Sequence, residues 1–161
     1  MPDFVELFEK GDFVEFGKEF MGEKNKNAIA DKIYRVFNPT EKSVNFFDLD
    51  DWERSKLAFA VAVKSVAKGL ATSQIRKILN MSIKIYRGLK KKEDVSNDIV
   101  KLNYTLAYTL GRQGRRREIE PVAEVLSKVL PKLKAEKEDY EKVHDFLQAV
   151  VAYHKLLGGR D

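Results

Sequence analysis

The stretch Ala71-Thr72-Ser73-Gln74-Ile75-Arg76-Lys77-Ile78-Leu79-Asn80-Met81-Ser82-Ile83-Lys84-Ile85-Tyr86-Arg87-Gly88 decides the fold. Ile75, Ile78, Leu79, Ile83 (at the stripe's edge), Tyr86 and Leu89 recur at helical spacing, so the segment predicts an amphipathic helix with one face in a core. Thr72 or Ser73 is expected to cap its start, because a hydroxyl oxygen accepts from a free first-turn N–H. Gly88 is expected to end it. Arg76, Asn80, Lys84, Arg87 and Lys91 step by three or four and form a second, mostly cationic stripe. One face packs and the other offers positive charge.

The neighbouring segments read the same way. Trp52 to Lys68 is apolar almost all round through Leu57-Ala58-Phe59-Ala60-Val61-Ala62-Val63, which predicts a central buried helix ending at Gly69. The short link through Gly69-Leu70 predicts that this helix and the next are neighbours. Ser96 or Asn97 starts a further helix running to about Gly111 or Gly114. Its core face is Ile99, Leu102, Leu106 and Leu110, and Lys101, Tyr104, Tyr108, Arg112 and Arg115 lie opposite. Glu118 to Lys134 is amphipathic and must kink or end at Pro131. Glu136 to Leu157 is the last helix. No strand period is evident, so the expected class is all-α: a single-domain bundle of about five main helices over residues 48–161. Residues 1–47 read as an irregular, Phe-rich arm or set of short helices: one or two interrupted near Gly11, and another from Ala28 to Phe37 ended by Asn38-Pro39, packing on its own domain or on a neighbouring subunit.

Composition removes several classes. The 161 residues contain no Cys and two His, so no disulfide framework, thiol nucleophile or zinc site is expected. His144 and His154 lie ten apart on one helix and do not converge, and His154 reads as a satisfied structural residue. No Gly-rich phosphate loop and no acid/base constellation is recognisable; the acidic clusters sit at helix starts, where capping explains them. No cofactor and no catalysis are expected. No apolar run is long enough for a bilayer, and the first residues lack signal-peptide character, so the expected location is cytoplasmic. The net charge of +5 is unevenly spread. Residues 1–50 hold 7 basic and 11 acidic side chains, whereas residues 64–117 hold 14 basic and only 3 acidic ones, a local +11. That is the footprint of a polyanion-binding surface.

Three segments carry a resemblance: Thr72 to Leu79; Leu106-Ala107-Tyr108-Thr109-Leu110-Gly111-Arg112; and Phe146 to Lys155 with Gly158-Gly159. In this order and spacing they resemble the small helical subunit of type III-A CRISPR–Cas effector (Csm) complexes, from about Trp52 to Gly159. The resemblance implies a non-catalytic subunit of which several copies run along the crRNA filament. Its partners would be the other subunits of the complex, copies of itself, target RNA and the crRNA–target duplex. RNA would be held by its phosphates without regard to sequence. The candidate RNA-binding residues are Lys64, Lys68, Arg76, Lys77, Lys84, Arg112, Arg115 and Arg116. Thr72 and Ser73 are added as hydroxyls and free N–H groups at a helix N-terminus, and Tyr108 as a stacking platform. The competing readings are a helix-turn-helix DNA binder built from 52–68 and 72–88, and a structural adaptor docking an acidic partner. An RNase would need an acid/base pair that is not evident.

Overall fold

The apolar run Leu57–Val63 lies at the centre of helix α5 (Asp51–Lys68), and all seven of its residues are buried. A helix buried all round needs neighbours on every side, and the rest of the chain supplies them. The computed structural model describes residues 2–133 and 136–161. In order these form α1 (Phe4–Lys10), α2 (Phe13–Met21), α3 (Lys26–Phe37), α4 (Pro39–Val44), α5, α6 (Thr72–Lys90), α7 (Ser96–Arg112), α8 (Glu120–Val129) and α9 (Lys137–Leu156), with single 3-10 turns at Phe46–Asp48 and Leu130–Lys132. No strand occurs among the described residues. The five expected main helices are α5 to α9.

The short helices expected in the arm number four: α1 and α2 lie either side of Gly11, α3 contains the expected Ala28–Phe37, and α4, beginning at Pro39, is the one not expected. Asp3, Asp12, Asn25 and Asn38 each cap one of them through a side-chain oxygen, so every short helix has its own start signal. Their phenylalanines enter the main core. Phe13 stacks on Phe59 of α5 at 4.1 Å between centroids, and Phe16 meets the same ring edge-on at 4.8 Å. Tyr153 of α9 closes the cluster at 5.2 Å from both Phe13 and Phe59. Offset and edge-to-face pairs of this kind add about 0.5–1.5 kcal/mol each beyond the area they bury.

Two expectations about α6 are corrected. First, α5 and α6 are not packed side by side. The turn through Gly69 joins them, but α9 lies against both, and α6 packs on α9 and α7. A two-residue link fixes the distance between helix ends, not the direction in which the helices leave. Second, Gly88 does not stop α6, which continues to Lys90. Gly88 is buried because Val95, after the turn into α7, packs where a side chain would stand: a Cβ there would lie 2.7 Å from Val95 Cγ1. The glycine permits a close approach, not a left-handed cap.

Most remaining limits agree with the sequence, except that Ala71 and not Thr72 or Ser73 stands at the cap of α6, and α8 begins at Glu120 and not at Glu118. Asp50 caps α5 by accepting from the Glu53 N–H at 2.8 Å. α8 gives way at Pro131 to a 3-10 turn, because proline cannot donate to the ladder. The expected end of that helix at Lys134 lies outside the described residues.

Candidate nucleic-acid interface

Position on the helices determines which cations meet. In α6, Lys77, Lys84 and Gly88 share one line, seven and eleven residues apart. Gly88 contacts Val95, and Lys84 pairs with Asp98 of α7 at 3.5 Å, so this line faces α7. Lys77 continues it toward the far end of α7, where Arg112 stands. Arg76 lies one residue round, on the open side with Asn80 and Arg87, all three exposed.

The far end of α7 is tied back to the start of α6 by one residue beyond α9. The Arg160 carbonyl accepts the Thr72 N–H at 2.8 Å and the Thr72 hydroxyl at 3.0 Å. Its guanidinium Nε donates to the Gly69 carbonyl at 2.8 Å, and Nη2 lies 3.7 Å from Glu118 Oε2. Glu118 closes the loop that follows α7, and within that loop the Ile119 N–H donates to Gln113 Oε1 at 2.8 Å. The α5–α6 turn, the first turn of α6 and the loop carrying Arg115, Arg116 and Arg117 therefore share one end of the bundle. Lys68, Ser73, Arg76, Lys77, Arg112, Arg115 and Arg116 are gathered around it.

Among the described residues none of these six cations makes an ion pair, and all except the half-buried Lys68 are exposed. Arg117 differs, pairing with Glu120 at 3.0 Å. Tyr108 is 66% exposed and Tyr104 56% exposed, both on the side of α7 opposite its buried Leu102 and Leu106. Neither ring covers the core rim.

Three predicted residues fall elsewhere. Lys64 is ion-paired to Asp31 of α3 and sits over the Tyr34 ring at 5.3 Å, so it serves the α3–α5 contact and not the α6 face. Thr72 is buried, and both its N–H and its hydroxyl are bonded to Arg160, so it offers no free donor. Ala71 occupies the cap position, with its N–H donating to Gln74 Oε1 at 3.2 Å. Lys84 lies eight residues beyond Arg76, about 12 Å along the axis, and already faces Asp98.

Both histidines are buried in polar sockets. His154 Nε2–H donates to the Leu70 carbonyl at 2.7 Å, which leaves Nδ1 facing the Thr72 hydroxyl at 3.5 Å. His144 Nδ1 accepts from Ser82 at 2.9 Å, and Ser82 in turn accepts from the Tyr140 hydroxyl at 2.9 Å. Burial lowers both histidine pKa values and pushes the Tyr140 phenol up to about 12. The sequence reading missed Arg160 and Glu118. Their one signal was opposite charge, and nothing in the spacing placed residues 42 apart together. Among the described residues no group of three or more His, Asp or Glu is arranged to hold a metal ion, and no helix is long and apolar enough to cross a membrane.

Comparison with known families settles which bundle this is. The family model described as Csm2 Type III-A matches residues 53–160. The chain belongs to the Csm2 type III-A family. It is thus a small subunit of the type III-A CRISPR (Csm) class. A similar relative is the Streptococcus thermophilus protein named CRISPR system Cms protein Csm2. It is 31% identical over 94 residues, which cover 57% of this chain and 76% of the relative. The Csm2 match takes in α6 to α9 and all but the start of α5, and therefore the whole cationic end; α1 to α4 lie outside it.

Proposed function

We propose that this chain is a non-catalytic subunit that grips target RNA by its phosphates and stabilises the crRNA–target duplex within a type III-A complex. It would do so in contact with the other Csm subunits and with further copies of itself. The observation that carries this reading is the gathering of unpaired cations, contributed by α5, α6, α7 and the following loop, on one end of the bundle. Arginine suits this use because its charge is permanent and its planar fork matches phosphate oxygens. Side chains aimed at phosphates position a strand but carry no sequence information, and in such a complex Watson–Crick pairing already reads the sequence. Tyr108, and beside it Tyr104, supply faces on which a base can stack.

A salt titration of single-stranded RNA binding tests the reading. Each neutralised phosphate releases counterion, with a log–log slope near −0.7 per contact on single strands. Arg76→Ala/Arg112→Ala is expected to reduce the slope by about 1.4 and to weaken all RNA sequences alike. Preference for duplex DNA with sequence discrimination would instead favour a helix-turn-helix binder. That reading is already weakened, because α6 packs on α9 and α7 and not along α5. Retained assembly with Csm subunits and no RNA dependence on either arginine would favour an adaptor.

A further inference from the structure

The cationic end needs something to hold it together. Arg112 ends α7, and the residues that follow up to Ile119 are a loop. Arg115, Arg116 and Arg117 repel one another across it, and Arg117 has a left-handed backbone at φ 46. Such a loop is not brought to the start of α6 by its own composition. Arg160 supplies the link, with its carbonyl on Thr72, its Nε on Gly69 and its Nη2 facing Glu118. Its own placement is fixed in turn. The Gly159 N–H donates to the His154 carbonyl at 2.8 Å, and a Cβ on Gly159 would stand 2.0 Å from His154 Cε1, so only glycine lets the chain pass over the imidazole.

We propose that Arg160 is a positioning residue for RNA: its guanidinium bridges the Gly69 carbonyl to the Glu118 carboxylate, and so braces the 113–118 loop against the start of α6. This rests on the RNA reading above but assigns a different role. Arg160 acts through the arginines it positions and not through its own charge, which Glu118 offsets. Fork geometry is essential, since one nitrogen serves Gly69 while another faces Glu118. A lysine has the charge but a single nitrogen and cannot span both.

The experiment combines Arg160→Ala, Arg160→Lys and Arg112→Ala in the full chain. Each is measured for binding to a mixed-sequence single-stranded RNA across a salt series and, without RNA, for amide exchange over 113–119. Arg160→Ala keeps the carbonyl that Thr72 uses, so the fold is retained. Losing one part-exposed bridge is expected to weaken RNA binding roughly two- to fivefold, to leave the salt slope unchanged, and to speed exchange of the Ile119 N–H. Arg160→Lys is expected to rescue neither affinity nor exchange. A slope reduced by about 0.7 with rescue by lysine would make Arg160 a phosphate contact and overturn the proposal. Unchanged exchange in Arg160→Ala would overturn it as well. If Arg112→Ala leaves RNA binding intact, the RNA reading fails, and the exchange measurement still decides whether the brace exists.

Discussion

Ser82 is fully buried on α6, and its hydroxyl is the hinge of a three-member polar network: Tyr140 donates to it and it donates to His144 Nδ1. That arrangement requires a neutral imidazole. Protonation would turn Nδ1 into a donor and leave the Ser82 hydrogen without an acceptor. The charged groups around His144 are Asp145, Glu141 and Lys90, and burial outweighs them in lowering its pKa. His154 is lowered by burial too, against its bond to Leu70 and with Lys155 beside it. A histidine whose folded pKa lies below its ordinary 6.5 binds fewer protons folded than unfolded. Its contribution is therefore complete above pH 6.5 and is lost as pH falls toward the folded pKa. Asp145, raised by burial, acts in the opposite direction but only near the carboxylate range. Urea midpoints should be flat above about pH 7 and should decline as pH falls below the ordinary histidine value of about 6.5. His144→Gln should flatten part of the decline. A decline of full size in that variant would mean that His144 is not one of the groups responsible. Ser82→Ala strands two buried groups and should cost about 1–3 kcal/mol at neutral pH.

At the scale of elements, α6 shows what a sequence states and what it withholds. Its period, its apolar face and its cationic stripe are all legible, because each is a property of residues within one helix. Its true end was not. Gly88 carries the composition of a cap, and only the position of Val95 explains why it lies inside the helix. Ile85, at one edge of the apolar stripe, escaped the core reading because which edge is covered depends on α9, and Ser82, in the middle of the stripe, escaped it because it is polar; both are buried. The charged end followed the same rule. Arg76, Arg112, Arg115 and Arg116 were readable as cations on faces, while the pairing of Lys64 with Asp31 and the use of Thr72 by Arg160 depend on partners 33 and 88 residues away. Gly88→Ala tests the packing argument. Alanine gains about 0.5–1 kcal/mol in a helix interior, but its Cβ would stand 2.7 Å from Val95 Cγ1, closer than packed carbons approach. Overpacking of that kind costs about 1–3 kcal/mol, so the net change should be a destabilisation near 1 kcal/mol in urea unfolding. Val95→Ala in the same chain should recover part of it, through a coupling that single substitutions do not show. A stabilised Gly88→Ala would mean that Val95 moves aside at no cost.

At the scale of the molecule, the uneven charge has a physical consequence. Residues 1–50 carry a net −4 and residues 64–117 a net +11, and helices α1 to α4 form from the acidic part. Each positive charge that meets an acid from the first fifty residues is lost to the outside field, as with Lys64 and Asp31. Unpaired cations such as those at the start of α6 remain to attract a polyanion. Electrostatic steering depends on that net local field and raises association rates by about 10–10³. Lys64→Ala and Arg112→Ala remove the same formal charge and should therefore differ. For Lys64→Ala, the RNA association rate should stay within about twofold of the parent at low salt, and stability should fall by about 1 kcal/mol or less, since one part-exposed pair is lost. For Arg112→Ala, the rate and the salt slope should both fall, with little change in stability, because no ion pair is broken. Stopped-flow association at two salt concentrations, read beside a urea titration, separates the cases. Equal loss of rate in the two variants would mean that the phosphate-binding surface extends across α5 to the α3 side, and that the Asp31 pair opens when RNA arrives.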